Sequence, residues 1–273
     1  MSAYDFTIVG TGLFGAVFAH EAMKHGKKVL MVEKRDHIGG NIYTEKRDGI
    51  DIHRYGAHIF HTSDKEVWDY MNGLAAFRPF INSPIASYHG HIYNMPFNMN
   101  TFARMWDIST PEEAKRIIEE QRREITHEPE NLEEQAISLV GRDIYETLVR
   151  EYTEKQWGRK CTELPPWIIK RLPVRFTYDN NYFSDPYQGI PEDGYTAIIE
   201  HLIDGADIVL SEDYTADKAK WDSKSDRTLY TGCLDALYEY RLGKLEYRSE
   251  IFREERLEME DFQGNAVVNY TDG

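Results

Sequence analysis

The sequence predicts an α/β fold that combines a parallel sheet, a helical insert and further strand-like segments around that insert. Three observations point there. An apolar run, a glycine-rich turn, an amphipathic stretch and another apolar run follow one another within the first 33 residues. The segment 98–172 is charged and helical in pattern. On both sides of it, short strand-like runs carry aromatics, glycines and prolines.

The elements follow in order. Asp5-Phe-Thr-Ile-Val9 is apolar, rich in β-formers and closed by glycine, as a buried parallel strand would be. After Gly10-Thr-Gly-Leu-Phe-Gly15, the run AVFAHEAMKH has helical spacing, and Gly26 is placed to stop it. Lys27 to Glu33 reads as the second strand, and Ser83 to Pro96 as further strand-like chain. Thr110-Pro-Glu-Glu113 predicts a capping box with proline at the first helical position. Asn131-Leu-Glu-Glu134 opens a helix in the same manner, and Pro165-Pro166 and Pro173 break the pattern. Strands are expected at Tyr187–Pro191, Asp207–Leu210, Arg227–Gly232 and Gly264–Tyr270, with a helix over Tyr195–Leu202.

Composition narrows the function. A formal charge of -15 disfavours nucleic acid and anionic lipid as partners. Two cysteines without short spacing argue against a zinc site or a disulfide framework. No apolar run approaches the ~20 residues of a membrane span. The N-terminus MSAYDFTIVG has no basic region or cleavage pattern, so a cytoplasmic protein is expected.

GTGLFG between a strand and a helix fits a dinucleotide-binding turn of the Rossmann type. Gly10 permits the tight turn, Gly12 a close approach to pyrophosphate, and Gly15 helix–strand packing. The free N–H groups of the helix start then face the phosphates. Glu33 lies 18 residues after Gly15, at the end of the second strand, where its carboxylate can accept from a ribose diol and repel a 2′-phosphate. Gly39-Gly40 is further information. A nicotinamide site needs no glycine pair there, whereas a second close approach of backbone to ligand does. The combination GxGxxG then E-x5-GG resembles the N-terminal signature of two-dinucleotide flavoproteins such as amine oxidases, which implies FAD.

In YGAHIFHT, His58 and His61 would share a face on a helix and diverge on a strand. No cysteine or carboxylate nearby completes a ligand set, so a packed or hydrogen-bonded pair is expected and no metal. Arg171 and Arg175 are candidates for gripping a diphosphate, with a surface salt bridge as the expected role of Arg175.

Together YGAHIFHT, YTEKQWG, Lys170-Arg-Leu-Pro-Val-Arg175, Asp179-Asn-Asn-Tyr-Phe183, Gly194-Tyr-Thr, Tyr230-Thr-Gly and Asn269-Tyr270 resemble UDP-galactopyranose mutase, from residue 5 to the end. The resemblance implies an FAD-binding Rossmann-like domain at 1–78 and 195–235. It also implies a helical insert at 98–172 and an antiparallel-sheet substrate domain at 79–97, 173–194 and 236–273. It implies cofactor contacts at Gly10, Gly12, Phe14, Gly15, Glu33, Lys34, Gly40, Asn41, His58 and Ile59. Asn82, Tyr152, Thr153, Trp157, Arg171, Tyr182 and Arg248 fall on substrate positions. His61 falls near the sugar, and Arg171 on the arginine that clamps the diphosphate.

The resemblance further implies interconversion of UDP-galactopyranose and UDP-galactofuranose for galactofuranose-containing glycans of cell walls. In that chemistry N5 of reduced FAD is the nucleophile at the anomeric carbon. A homodimer through the helical unit is compatible with it. Family members continue for roughly a hundred residues more. That part holds a second diphosphate arginine, active-site tyrosines and a glycine-rich segment closing the flavin site. A C-terminally truncated chain is therefore expected, one that binds FAD weakly and turns over poorly. Two alternatives are an amine-oxidase-like flavin oxidoreductase, which would need an electron acceptor, and an inactive nucleotide-binding fragment.

Overall fold

The structure, a computed structural model, describes residues 2–170 and 172–272. Its contacts divide the chain into two compact units: Met1–Phe80 with Asp185–Arg253, and Ile81–Ser184 with Glu254–Gly273.

The first unit is Rossmann-like. Its parallel sheet has the strand order Asp207–Val209, Val29–Val32, Tyr4–Val9, Ser225–Tyr230. Val29–Val32 is buried at every position, which explains its uninterrupted apolar pattern. One face of the sheet, with Ile8 and Met31, packs on helices Leu13–Lys24 and Gly194–Ile203 through Ala16, Ala19, Ile198 and Leu202. The other face, with Leu30 and Val32, packs on Tyr214 and Trp221. Gly26 follows the first helix at φ +72°, the left-handed stop the sequence predicts.

A second, antiparallel sheet in this unit has Tyr187–Pro191 between Phe60–Thr62 and Phe77–Pro79. Stacked Phe60, Trp68 and Tyr187 rings cover it. This pairing draws residues 185–194 into the first unit, where the sequence suggested a separate sheet domain. Residues 236–253 also group here. Thr44–Arg47 and Ile50–His53 form a hairpin, closed by Asp48 and Gly49, both at positive φ.

The second unit holds the helices Met99–Trp106, Pro111–Arg122, Leu132–Val140 and the run from Arg142 to Trp157. The capping box at Thr110 forms in both directions, with Pro111 in the first turn. The Asn131 side chain accepts from the Glu134 N–H at 3.0 Å. Within 142–157, Tyr145–Val149 is a π-helical turn, a local widening often found beside functional sites. The hairpin Ile85–Tyr88/His91–Asn94 is antiparallel, and Val268–Tyr270 joins it in parallel, so this sheet is mixed. Sheet and helices share one core, in which Ala86 and Phe97 meet Phe102, Leu132, Ile137 and Tyr145.

Candidate functional site

The carboxyl ends of three parallel strands open onto a cleft of about 600 Å³ in the first unit. The chain leaves Tyr4–Val9 toward one neighbouring strand and returns on its other side, so the cleft lies where the strand order reverses. Ligands of open α/β sheets bind at such points. Gly10, Gly12, Glu33, Lys34, Gly40 and Asn41 line it.

Each glycine of GTGLFG has a different reason. Gly10 sits at φ +99°, and a Cβ there would collide with the Thr231 side chain. A Cβ on Gly15 would strike the Gly10 carbonyl oxygen and approach Ile8 Cγ2 to 3.2 Å, so this glycine serves helix–strand packing. Gly12 is unlike both. Its φ of -67° suits any residue, and a Cβ would meet nothing within 4 Å. The fold does not require glycine there, and open cleft lies in front of it. The helix Leu13–Lys24 begins at Gly12 with no side-chain cap and no acidic residue in its first turn. A pyrophosphate fits that cradle, with backbone N–H groups as donors.

Glu33 is buried, and its carboxylate is already in use. Its Oε2 accepts from the Thr11 N–H at 2.9 Å and hydroxyl at 2.8 Å, and its Oε1 accepts from the Arg35 N–H at 3.0 Å. Glu33 thus braces the turn as well as facing the cleft, and remaining lone pairs can take a ribose diol. Asp213, on the far wall, receives the Thr215 hydroxyl and N–H, which hold its carboxyl below the usual range. With Glu212 also in the lining, three carboxylates here disfavour a 2′-phosphate.

The glycine pair has a cause that the sequence did not show. Gly40, at φ +57°, lies against Gly12, and a Cβ on it would come within 2.9 Å of the Gly12 Cα. The Gly39 N–H donates to the Thr11 carbonyl at 3.2 Å. The pair therefore docks one loop on the other, and the close approach is first of backbone to backbone.

Not every expected contact lies in this cleft. Phe14 is 69% exposed and, like His58 and Ile59, stands outside its lining. The HIFHT stretch is not helical: His58 and Ile59 have no regular structure and Phe60–Thr62 is a strand, so the two histidines do not share a helical face. Among the described residues no cluster of three metal-ligating side chains forms. The His58 N–H donates to His53 Nδ1 at 3.0 Å, and His61 Nδ1 faces Asp185 Oδ2 at 2.6 Å. Arg35, which sequence reasoning passed over, lines the cleft. It stacks on the Tyr55 ring at 4.3 Å and reaches Asn41 Oδ1 at 2.9 Å.

The second unit has its own pocket, of about 230 Å³. Asn82, Tyr152 and Tyr182, some 100 residues apart at the extremes, line it together. Pro84, Ala86, Met95, Leu148 and Val267 supply apolar wall, and Asn269 and Thr271 further polar groups. Asn269 had been noted only as part of a motif, since an isolated amide carries no periodic signal. Thr153 is buried without lining the pocket, and Trp157 packs on the helical core. Arg248 groups with the first unit, on exposed chain, and donates to the Tyr247 carbonyl at 3.2 Å. It lines neither cavity. Arg171 lies outside the described residues.

Comparison with known proteins adds to this geometry. A family model described as NAD(P)-binding Rossmann-like domain matches residues 8–74, and one described as UDP-galactopyranose mutase matches residues 147–273. A probable UDP-galactopyranose mutase of Klebsiella pneumoniae is 38% identical over 99% of this chain and 71% of its own length. The chain belongs to the UDP-galactopyranose mutase family. Another relative of this mutase family chain, a dTDP-fucopyranose mutase of Escherichia coli, is 36% identical over 97% of the chain and 72% of its own length. A crystal structure of reduced UDP-galactopyranose mutase matches with a TM-score of 0.55 at 19% identity, which shows the shared fold. That match covers 76% of this chain and 48% of the other, so the mutase family member in hand spans about half of the solved chain.

Among the described residues no helix is long and apolar enough to cross a membrane.

Proposed function

We propose that this chain binds FAD in the cleft of its first unit and a nucleoside diphosphate sugar in the pocket of its second. The reaction served is the interconversion of UDP-galactopyranose and UDP-galactofuranose. The observation that carries the reading is the pocket itself. Tyr152 and Tyr182 stand in separate motifs and Asn82 is a position that the family resemblance implies, and all three line one cavity.

Reduced flavin, when bound, supplies a nucleophile for the anomeric carbon. The chain's own residues bind and orient. N–H groups at the start of Leu13–Lys24 face the cofactor's diphosphate, and Glu33 takes its ribose hydroxyls. Tyr152 and Tyr182 offer aromatic surface to a pyrimidine, and the Asn82 amide can both donate and accept along its edge. Asp185 orients His61 through Nδ1. Arg171 supplies positive charge to the leaving diphosphate, a role that rests on its motif.

The visible spectrum of the purified chain mixed with FAD, then the sugar assay under dithionite, tests the proposal. Arg171→Ala is expected to cut turnover at least ~100-fold, by analogy with loss of one preorganised charge-stabilising group. Normal turnover would reject that role. A second reading has its own support, since a dTDP-fucopyranose mutase is nearly as similar as the UDP-galactopyranose relative. Parallel titrations with UDP and dTDP separate the two. Oxygen uptake without sugar interconversion would favour an oxidoreductase instead.

A further inference from the structure

We infer that Arg175 is a positioning residue of the second unit's pocket: its guanidinium sets the Tyr182 ring without touching the ligand. The inference rests on the reading of that pocket as a nucleotide site.

Tyr182 lines the pocket, yet the residue is 42% exposed. Its ring meets the adjacent Phe183 edge-on, with centroids 5.4 Å apart. For a residue so open, the backbone's aim of the Cα–Cβ bond largely decides how the ring meets the pocket. That backbone is held from two sides. The Tyr182 N–H donates to the Asn82 carbonyl at 2.8 Å. The Tyr182 carbonyl accepts from Arg175 Nη2 at 3.3 Å.

The same guanidinium donates to the Asn181 carbonyl and to Ser184 Oγ, the latter at 2.9 Å. One side chain thus ties down three residues of a loop that has no regular secondary structure. A planar fork with five donors can do this; an ammonium, a point donor on a flexible stem, cannot reproduce the geometry.

Arg175 is itself well anchored. Its side chain is 18% exposed. Its N–H donates to the Phe97 carbonyl at 2.9 Å, and Val174 bridges to Phe97. Phe97 is buried in the helical core. The expected salt bridge exists, to Asp179 at 3.7 Å, but that carboxylate is 60% exposed. Such a pair contributes little. The residue is better described as a bracket from the core to the Tyr182 loop. The other end of the loop is held similarly, by Asn98 Nδ2 on the Asp179 carbonyl at 2.9 Å.

The test is a double-mutant cycle on the whole chain, with UDP as the titrant and a thermal midpoint for each variant. Arg175→Ala and Tyr182→Ala are each expected to weaken UDP binding about 10-fold, a loss of one positioned contact. The double variant should bind no more weakly than Tyr182→Ala. Arg175→Lys keeps charge and stem, guards against simple misfolding, and should still show most of the loss. A 3-fluorotyrosine placed at position 182 gives a readout without ligand. Its single narrow resonance should broaden or split in Arg175→Lys. Fully additive losses, or an unchanged resonance and affinity, would overturn the inference. If the unsubstituted chain ignores UDP, the nucleotide reading falls. The fluorine line then still decides whether Arg175 sets the ring.

Discussion

Gly12→Ala separates the demands of the fold from those of the ligand. At φ -67° alanine is unstrained, and its methyl group would meet no protein atom within 4 Å. Alanine is a poorer helix N-cap than glycine, a loss of about 0.5–1 kcal/mol. The stiffer unfolded chain returns about 0.4–1 kcal/mol. Stability should therefore stay within about 0.5 kcal/mol of the unsubstituted chain. Binding should not. In the proposed binding mode the methyl would occupy the space given to the pyrophosphate beside the first-turn N–H groups. Losing one charge-assisted hydrogen bond costs about 1.5–3 kcal/mol. FAD affinity should fall about 10- to 100-fold. Flavin fluorescence quenching gives the affinity and a urea titration the stability. Gly15→Ala is the contrast, since its methyl would collide with the Gly10 carbonyl and destabilise the unit itself. If Gly12→Ala binds FAD as well as the original chain, the pyrophosphate does not lie in this cradle, and the assignment of the cleft fails.

Gly40→Ala places an alanine at φ +57° with its methyl 2.9 Å from the Gly12 Cα. Left-handed backbone costs about 1–2 kcal/mol. Urea unfolding should show a loss of about 1–3 kcal/mol; no loss would mean that the two loops do not touch. Burial, and then the nearby His58, pushes the His53 imidazole below its usual 6.5. The unfolded chain therefore takes this proton first, and stability present above about pH 6.5 is lost as pH falls through the folded value. His53→Gln should flatten the difference between urea midpoints at about pH 7.5 and 5.5; an unchanged slope would place the titration elsewhere. Burial raises the Cys161 thiol to about 11, whereas Cys233 is exposed and lines the cleft. At about pH 8 iodoacetamide should label Cys233 alone, and FAD should slow it. Labelling of Cys161 in the folded chain would contradict its burial.

Local rules explain what was legible. The strand–turn–helix–strand start, the capping box at Thr110 and the stop at Gly26 each depend on residues within one or two turns of each other. The Asp48-Gly49 hairpin was equally local, a turn dipeptide between short strands, and could have been read from its sequence. Other features could not. Val268–Tyr270 pairs with Ile85–Tyr88 across more than 180 positions, and its three residues do not announce a direction, so an antiparallel partner was as plausible as the parallel one observed. Tyr187–Pro191 became the centre of a first-unit sheet because its partners, Phe60–Thr62 and Phe77–Pro79, lie over 100 residues upstream.

The candidate sites show the same division at finer grain. Residues that line the two cavities mostly belong to short motifs; the contacts that hold them in place do not show in those motifs. Glu33 reads from the sequence as a ribose partner, yet two of the three hydrogen bonds to its carboxylate come from Thr11, in the glycine-rich turn. Asp185 orients His61 from 124 positions away, and Arg175 holds the Tyr182 loop through carbonyls, which every residue possesses. A bond to a carbonyl leaves no trace in the acceptor's identity, so such support escapes any motif. This also explains why the glycine pair invited a ligand-based account. A glycine that accommodates a ligand and one that accommodates another loop look alike in sequence. Only the atom that a Cβ would strike tells them apart: open cleft at Gly12, and the Gly12 backbone itself at Gly40.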